Sequence, residues 1–192
     1  MDDRFVDISD PEALLAEVAR LRADISRLEE RVAMLDQLAH QDALIDLPNR
    51  RGFMRQLDGL IDRVTRYGDS AAMLFVDVDG LKTINDSFGH QAGDEALIQV
   101  AQMLTAGVRK SDCVARLGGD EFGILLDRAD EECARDTATR LVERIAGAEF
   151  CYEGTCLPLS VCIGVGMIEA GDSPDVVMSR ADHAMYREKA AA

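Results

Sequence analysis

The run "AAMLFVDVD", Ala71 to Asp79, carries no charge before Asp77. A strand that is apolar at successive positions buries both of its faces, so its sheet must be covered on each side. Helical patterns at about 51–67, 93–108, 131–148 and 174–189 supply the cover, and further strands read at about 113–117, 121–126 and 157–166. The expectation is an α/β (α+β) domain with a central, mostly antiparallel sheet and surrounding helices. Asp77 and Asp79 then close a buried strand, where carboxylates require a counter-charge.

A second acidic pair lies in "RLGGDEFGILL", Arg116 to Leu126. Gly118 and Gly119 suit a hairpin turn, with positive φ open to both. Asp120 and Glu121 repel each other there unless something positive sits against them. If the two strands are neighbours, Asp77, Asp79, Asp120 and Glu121 converge. Hard oxygen ligands of this kind suit Mg²⁺ or Mn²⁺, which bind through one or two carboxylates plus substrate phosphates. The segment "GLKTINDSFGHQAGDE", Gly80 to Glu95, reads as largely loop before a helix near Gly93. Lys82 suits a phosphate oxygen. Asn85 and Asp94 offer an amide and a carboxylate for a purine edge, and each alone reads equally as a turn or cap residue.

Upstream, Leu14, Val18, Leu21, Ile25, Leu28, Val32, Leu35 and Ala39 alternate at spacings of three and four. β-Branched residues at a and leucines at d favour a parallel two-stranded coiled coil over 1–40, hence a homodimer. A single amphipathic helix lying on the following domain is the alternative, although its apolar stripe would normally be wider. Ser9 or Asp10 would cap this helix, with Pro11 in its first turn. Across a dimer Glu17 would attract Arg22 and Arg31 would attract Asp36, while Asp24 and Glu29 would repel.

The net charge of −15 argues against a broad basic face for nucleic acid, so nucleotide phosphates have to be met by a metal ion or a few placed cations. No apolar run approaches the ~20 residues of a membrane span, and "MDDRFVDISD" is not a secretory leader. A cytoplasmic protein is expected. The five cysteines form no CxxC pair and read as buried free thiols rather than zinc ligands or disulfides.

Taken together, "FVDVDGLKTINDSFGHQAGDEAL" and "ARLGGDEFGILL" resemble the GGDEF-domain diguanylate cyclases, as do "DALIDLPNR", "SVCIGVG" and "ADHAMYREK". The likeness runs from about Asp42 to Lys189, within a domain spanning 41–192. It implies a fold like the palm of nucleotide polymerases and class III cyclases. It also implies condensation of two GTP into cyclic di-GMP and two pyrophosphates, by two domains facing each other. By motif position, Asp77 and Asp120 would bind metal, with the Val78 carbonyl. Glu121 would support metal binding or activation of the attacking hydroxyl. Lys82, Lys189 and the Gly80 and Leu81 amides would hold phosphates. Asn85 and Asp94 would recognise guanine, and Gly118 and Gly119 would let substrate approach the backbone. His90 would line the nucleotide site or, alternatively, hold its loop by a local hydrogen bond. "RKSD" matches the family's RxxD inhibitory site, so Arg109 and Asp112 would bind the product. The alternative for that pair is a surface salt bridge.

The chain departs from the family pattern in three places. Ile45 and Asp46 stand where the family has Thr-Gly, which removes a hydroxyl and a glycine from the hinge. Leu81 replaces a common phenylalanine, and the sequence ends at Ala192 where the family continues with Gly-Arg-Asn. Two other functions fit the motifs: a non-catalytic receptor for cyclic di-GMP, and a dimeric signalling module.

Overall fold

The computed structural model describes residues 11–191, apart from the side chains at 37, 38 and 191. The expected caps Ser9 and Asp10 lie outside the described residues. The chain divides into two compact units at Ala39/His40.

The first unit is one long helix, α1 (Pro11–His40). Leu21, Ile25, Leu28, Val32 and Leu35 on its a/d stripe are 48% to 64% exposed, so this stripe is uncovered in the single chain. Glu17 pairs with Arg20 and Asp24 with Arg27 along the same helix.

The second unit contains α2 (Arg50–Tyr67), β1 (Ala71–Val78), α3 (Leu81–Phe88), α4 (His90–Ala106), β2 (Cys113–Arg116), β3 (Glu121–Asp127), α5 (Glu131–Ala146), β4 (Phe150–Tyr152), β5 (Thr155–Leu157), β6 (Val161–Ile168) and α6 (Pro174–Ala191). The main sheet has the order β2-β3-β1-β6, and its neighbours are all antiparallel. β1 is central and buried on both faces, as its composition requires. Ala72, Leu74, Val76 and Val78 join a core with residues of α3, α4 and α5, whereas Ala71, Met73 and Phe75 join a second core with α2 and α6. Asn49 caps α2 by accepting from the Arg51 and Gly52 amides, and Gly68 ends it at φ 72°.

Four expectations are corrected. The segment after Asp79 is not largely loop, because Leu81–Phe88 forms α3 and α4 begins at His90. Leu81 and Ile84 anchor α3 in the core, which outweighs its polar, loop-like composition. The strand expected at 157–166 runs over Val161–Ile168, and Thr155–Leu157 pairs with β4 in a separate two-stranded sheet. Pro158 interrupts the run between them; it lacks the amide needed to continue a ladder. None of the five cysteines is fully buried, and Cys151 and Cys156, both exposed, form a disulfide across β4 and β5. Finally, Gly118 and Gly119 do not take positive φ.

The hinge substitutions are accommodated. Ile45 is buried in the core, and Asp46 does not need the left-handed backbone. The Asp42 carboxylate accepts from the Leu44 and Ile45 amides at 3.0 Å each.

Candidate active site

The acidic residues meet because of strand register. Asp77 on β1 lies directly opposite Glu121 on β3, and the Val78 N–H donates to the Asp120 carbonyl at 3.0 Å. Asp77 continues the face of Ala71, Met73 and Phe75, towards α2 and α6. There Lys189 of α6 donates to Asp77 Oδ1 at 2.5 Å and lies 3.6 Å from Asp79 Oδ1. The Asp77 carboxylate raises the Lys189 pKa against the opposing cost of burial. Asp79 is fixed from the other side, with its N–H donating to the Ser160 carbonyl and its Oδ2 accepting from the Ser160 hydroxyl, both at 3.0 Å.

Burial pushes the Glu121 pKa upward, and Asp120, Asp77 and Asp182 push the same way against the opposing charge of Arg50. A site that raises the pKa of its own carboxyl favours a bound cation. Among the described residues no three His, Cys, Asp or Glu side chains assemble into a metal cage. This donor set suits Mg²⁺ or Mn²⁺, which complete their coordination with water and phosphate oxygens, better than a metal that needs an all-protein cage.

Arg116 holds the turn. Its Nε donates to the Gly118 carbonyl at 3.1 Å and its Nη2 to the Gly119 carbonyl at 2.8 Å, while Nη1 pairs with Asp42 Oδ1 at 3.1 Å. Its own amide donates to the Pro48 carbonyl at 2.9 Å. A Cβ on Gly118 would sit 2.8 Å from Glu121 Oε2, the far end of a side chain that can turn aside. A Cβ on Gly119 would meet nothing within 4 Å, which leaves that backbone open to approach from outside.

Gly80 turns the chain from β1 into α3 at φ 70°, a left-handed conformation suited to glycine. Leu81 and Lys82 follow in the first turn of α3, whose N-terminus has no side-chain cap. Lys82 is exposed and has no ion-pair partner among the described residues. Asn85 points at α4, where a Cβ on Gly93 would lie 2.1 Å from Asn85 Oδ1, so the amide sits one residue from Asp94. His90 is exposed and makes no side-chain hydrogen bond among the described residues, which disfavours a role in locking its loop.

The RxxD segment lies at the other end of the β2–β3 hairpin. Asp112 Oδ2 accepts from the Arg109 amide at 2.8 Å, and its Oδ1 accepts from the Asp127 amide at 3.3 Å. The carboxylate therefore shapes the turn. The exposed Arg109 guanidinium forms no ion pair among the described residues, so the salt-bridge alternative is not realised. Arg109 and Asp112 line a groove of about 650 Å³ with Asp136 and Arg140 of α5.

Sequence reasoning missed Arg116, Arg50, Asp182, Ser160 and Arg140. The first acts across 74 residues of sequence and the fourth across 81, distances over which no local pattern is informative.

Comparison with known proteins agrees with this geometry. Residues 39–192 match the family described as diguanylate cyclase, GGDEF domain. The chain is 37% identical over 167 residues to the probable diguanylate cyclase DgcE of Escherichia coli, covering 86% of this chain and 15% of DgcE. It is 35% identical over 192 residues to the diguanylate cyclase TpbB of Pseudomonas aeruginosa, covering 93% of this chain and 44% of TpbB. It thus spans less than half of these curated relatives. Among solved structures, the coiled coil and GGDEF domain of DgcB from Caulobacter crescentus, in complex with c-di-GMP, superposes with TM-score 0.86 at 27% identity, covering 93% of this chain and 95% of DgcB. The chain belongs to the diguanylate cyclase GGDEF-domain family.

Proposed function

We propose that this chain is a diguanylate cyclase that joins two GTP molecules into cyclic di-GMP with release of two pyrophosphates. The observation that carries this reading is the intact Gly118–Glu121 turn, held by Arg116 and set in register against Asp77. Members of the family are divalent-metal dependent. Asp77, Asp120 and the Val78 carbonyl would hold Mg²⁺ or Mn²⁺, which would supply charge neutralisation at phosphate and acidify the attacking hydroxyl.

The chain's own groups do the rest. Glu121 would support metal binding or activation of the attacking 3′-hydroxyl. Lys82, Lys189 and the Gly80 and Leu81 amides hold phosphate oxygens. Lys189, which donates to Asp77, would turn to phosphate when nucleotide binds. Asn85 and Asp94 read the guanine edge, and His90 lines the same pocket. Gly118 and Gly119 let the α-phosphate come close to the backbone for in-line attack by the hydroxyl of the second nucleotide.

One domain holds one GTP, so two must face each other. The uncovered a/d stripe of α1 supports a parallel coiled-coil homodimer over 1–40 that raises the effective concentration of one 41–192 domain for its partner. Arg109 and Asp112 bind the product and hold the domains apart, with the unpaired Arg109 guanidinium free for phosphate or a guanine edge. No helix among the described residues is long and apolar enough to cross a membrane, consistent with a cytoplasmic enzyme drawing on the GTP pool.

The test is incubation with GTP and Mg²⁺, followed by chromatographic separation and mass identification of the nucleotides. Cyclic di-GMP whose formation slows as it accumulates supports the proposal. No product from a folded dimer overturns it.

A further inference from the structure

Cys151 and Cys156 face each other in register on β4 and β5, with Cα atoms 4.0 Å apart, and are joined through their sulfurs. Both are exposed, in contrast to Cys113, Cys133 and Cys162, which are partly covered. Burial pushes the Cys113 thiol up to about 11, and burial chiefly also raises Cys162, whose Sγ donates to the Met185 carbonyl. Low-thiolate, covered sulfurs exchange slowly, whereas an exposed pair is open to thiols and disulfides in solution.

The surroundings of the pair favour reversible opening. β4 and β5 pair only with each other, in strands of three residues each, and an isolated hairpin of this kind is marginal in water. The chain is pinned on both sides of it, by Phe150 at 3% exposure and Leu159 at 1%. Between those anchors only the half-buried Tyr152 and Leu157 touch the core, so the exposed residues of the hairpin can loosen while the buried core keeps its packing. The turn also fits the pairing, because Glu153 and Gly154 at φ 47° and 81° give the twist of a tight hairpin and bring the flanking strands into the register that opposes the two cysteines.

We propose that Cys151 and Cys156 form a thiol–disulfide exchange site for a low-molecular-weight thiol and its disulfide, and that the redox state of the pair sets the order of the 151–157 hairpin alone. In the oxidising direction one cysteine thiolate attacks the reagent disulfide, forming a mixed disulfide and releasing one thiolate. The second cysteine thiolate then attacks the protein sulfur of that mixed disulfide and releases the other. The protein loses two electrons and two protons, and the reagent disulfide is reduced to two thiols. Reduction runs the same steps backwards. This inference is independent of the proposed cyclase activity.

The experiment equilibrates the full chain in buffers of reduced and oxidised glutathione, quenches in acid, alkylates, and maps the free thiols by peptide mass. Hydrogen exchange is followed at the same redox poises. The expected result is reversible loss and recovery of two thiols, both in the peptide containing Cys151 and Cys156, with the other three cysteines alkylated throughout. Amides within 152–157 should exchange about tenfold or more faster in the reduced state, while the amides of β1 and β3 in the main sheet stay protected. The Cys151→Ser, Cys156→Ser double variant should match the reduced wild type at every poise. Free thiols at both positions under the most oxidising poise, bridging to another cysteine, or hydrogen exchange that is unchanged or spreads into the core would each overturn the proposal. The wild-type titration decides the matter even if the variant does not fold.

Discussion

The β2–β3 hairpin carries a polar turn at each end, and the two are built in opposite ways. At the open end, Asp112 is satisfied by backbone amides, so the Arg109–Asp112 turn is stable in itself and leaves the Arg109 guanidinium without an ion pair among the described residues. At the closed end, Glu121 faces Asp77 in register with Asp120 adjacent, and the cluster leans on Arg116 and Lys189. The first turn is complete before any ligand arrives, whereas the second carries repulsion that a cation relieves. Four residues of strand, about 14 Å, separate them, far enough for changes at each to be nearly independent.

The largest effect tests that independence. Asp77→Asn or Asp120→Asn should lower turnover by about a thousandfold, since the charge that answers the developing phosphate charge is lost. Cyclic di-GMP binding at Arg109, measured by calorimetry, should be unchanged, and parallel loss of both would break the comparison. Next, Arg116→Ala should cost about 3 kcal/mol of stability in urea unfolding, because it removes the cation paired with the half-buried Asp42 and the donors to two turn carbonyls. At the open end the effects divide between two residues. Asp112→Ala should destabilise by about 1–2 kcal/mol by orphaning two amides. Arg109→Ala should leave stability within about 0.5 kcal/mol and raise the concentration of product needed for inhibition by about tenfold.

The smallest effect is a contrast in pH dependence. Asp172, held below its ordinary value of 3.8 chiefly by the Arg180 guanidinium, contributes stability at neutral pH that is lost as pH falls through its folded pKa. Asp172→Asn should therefore destabilise by about 1 kcal/mol at pH 7 and by progressively less in acid. Glu121 has the opposite sign. Its pKa lies above 4.5, so its contribution is fully present below that value and is lost as pH rises through the folded pKa. Glu121→Gln should thus slightly raise the melting temperature at pH 7 in chelator and leave it unchanged below about pH 4.5.

Much of this was legible from sequence, for reasons that differ by element. β1 announced itself because a strand buried on both faces has no polar alternation to confuse it with anything else. Its burial also identified Asp77 and Asp79 as residues that need a counter-charge. α3 was missed because eight residues bracketed by Gly80 and Gly89, and rich in Asn, Asp, Ser and Thr, satisfy every local signal for a loop. Its apolar Leu81, Ile84 and Phe88 were the available clue, at helical spacing. The Gly118–Gly119 turn was correctly placed, but positive φ does not account for it. Positive φ is a property of a local turn, whereas the space for Glu121 Oε2 depends on how the strand continues beyond it.

Periodicity, burial and charge act over a few neighbouring residues, so β1, the longer helices and the carboxylates were legible in the chain alone. Only the tertiary structure decided which groups hold those carboxylates. Arg116 reaches Asp42 ahead of α2, Ser160 reaches Asp79 from the neighbouring strand end of β6, and Lys189 reaches Asp77 from α6. It also decided that Cys151 would meet Cys156, since pairing in a sheet is fixed by turn geometry and register, and neither is written in the spacing of cysteines.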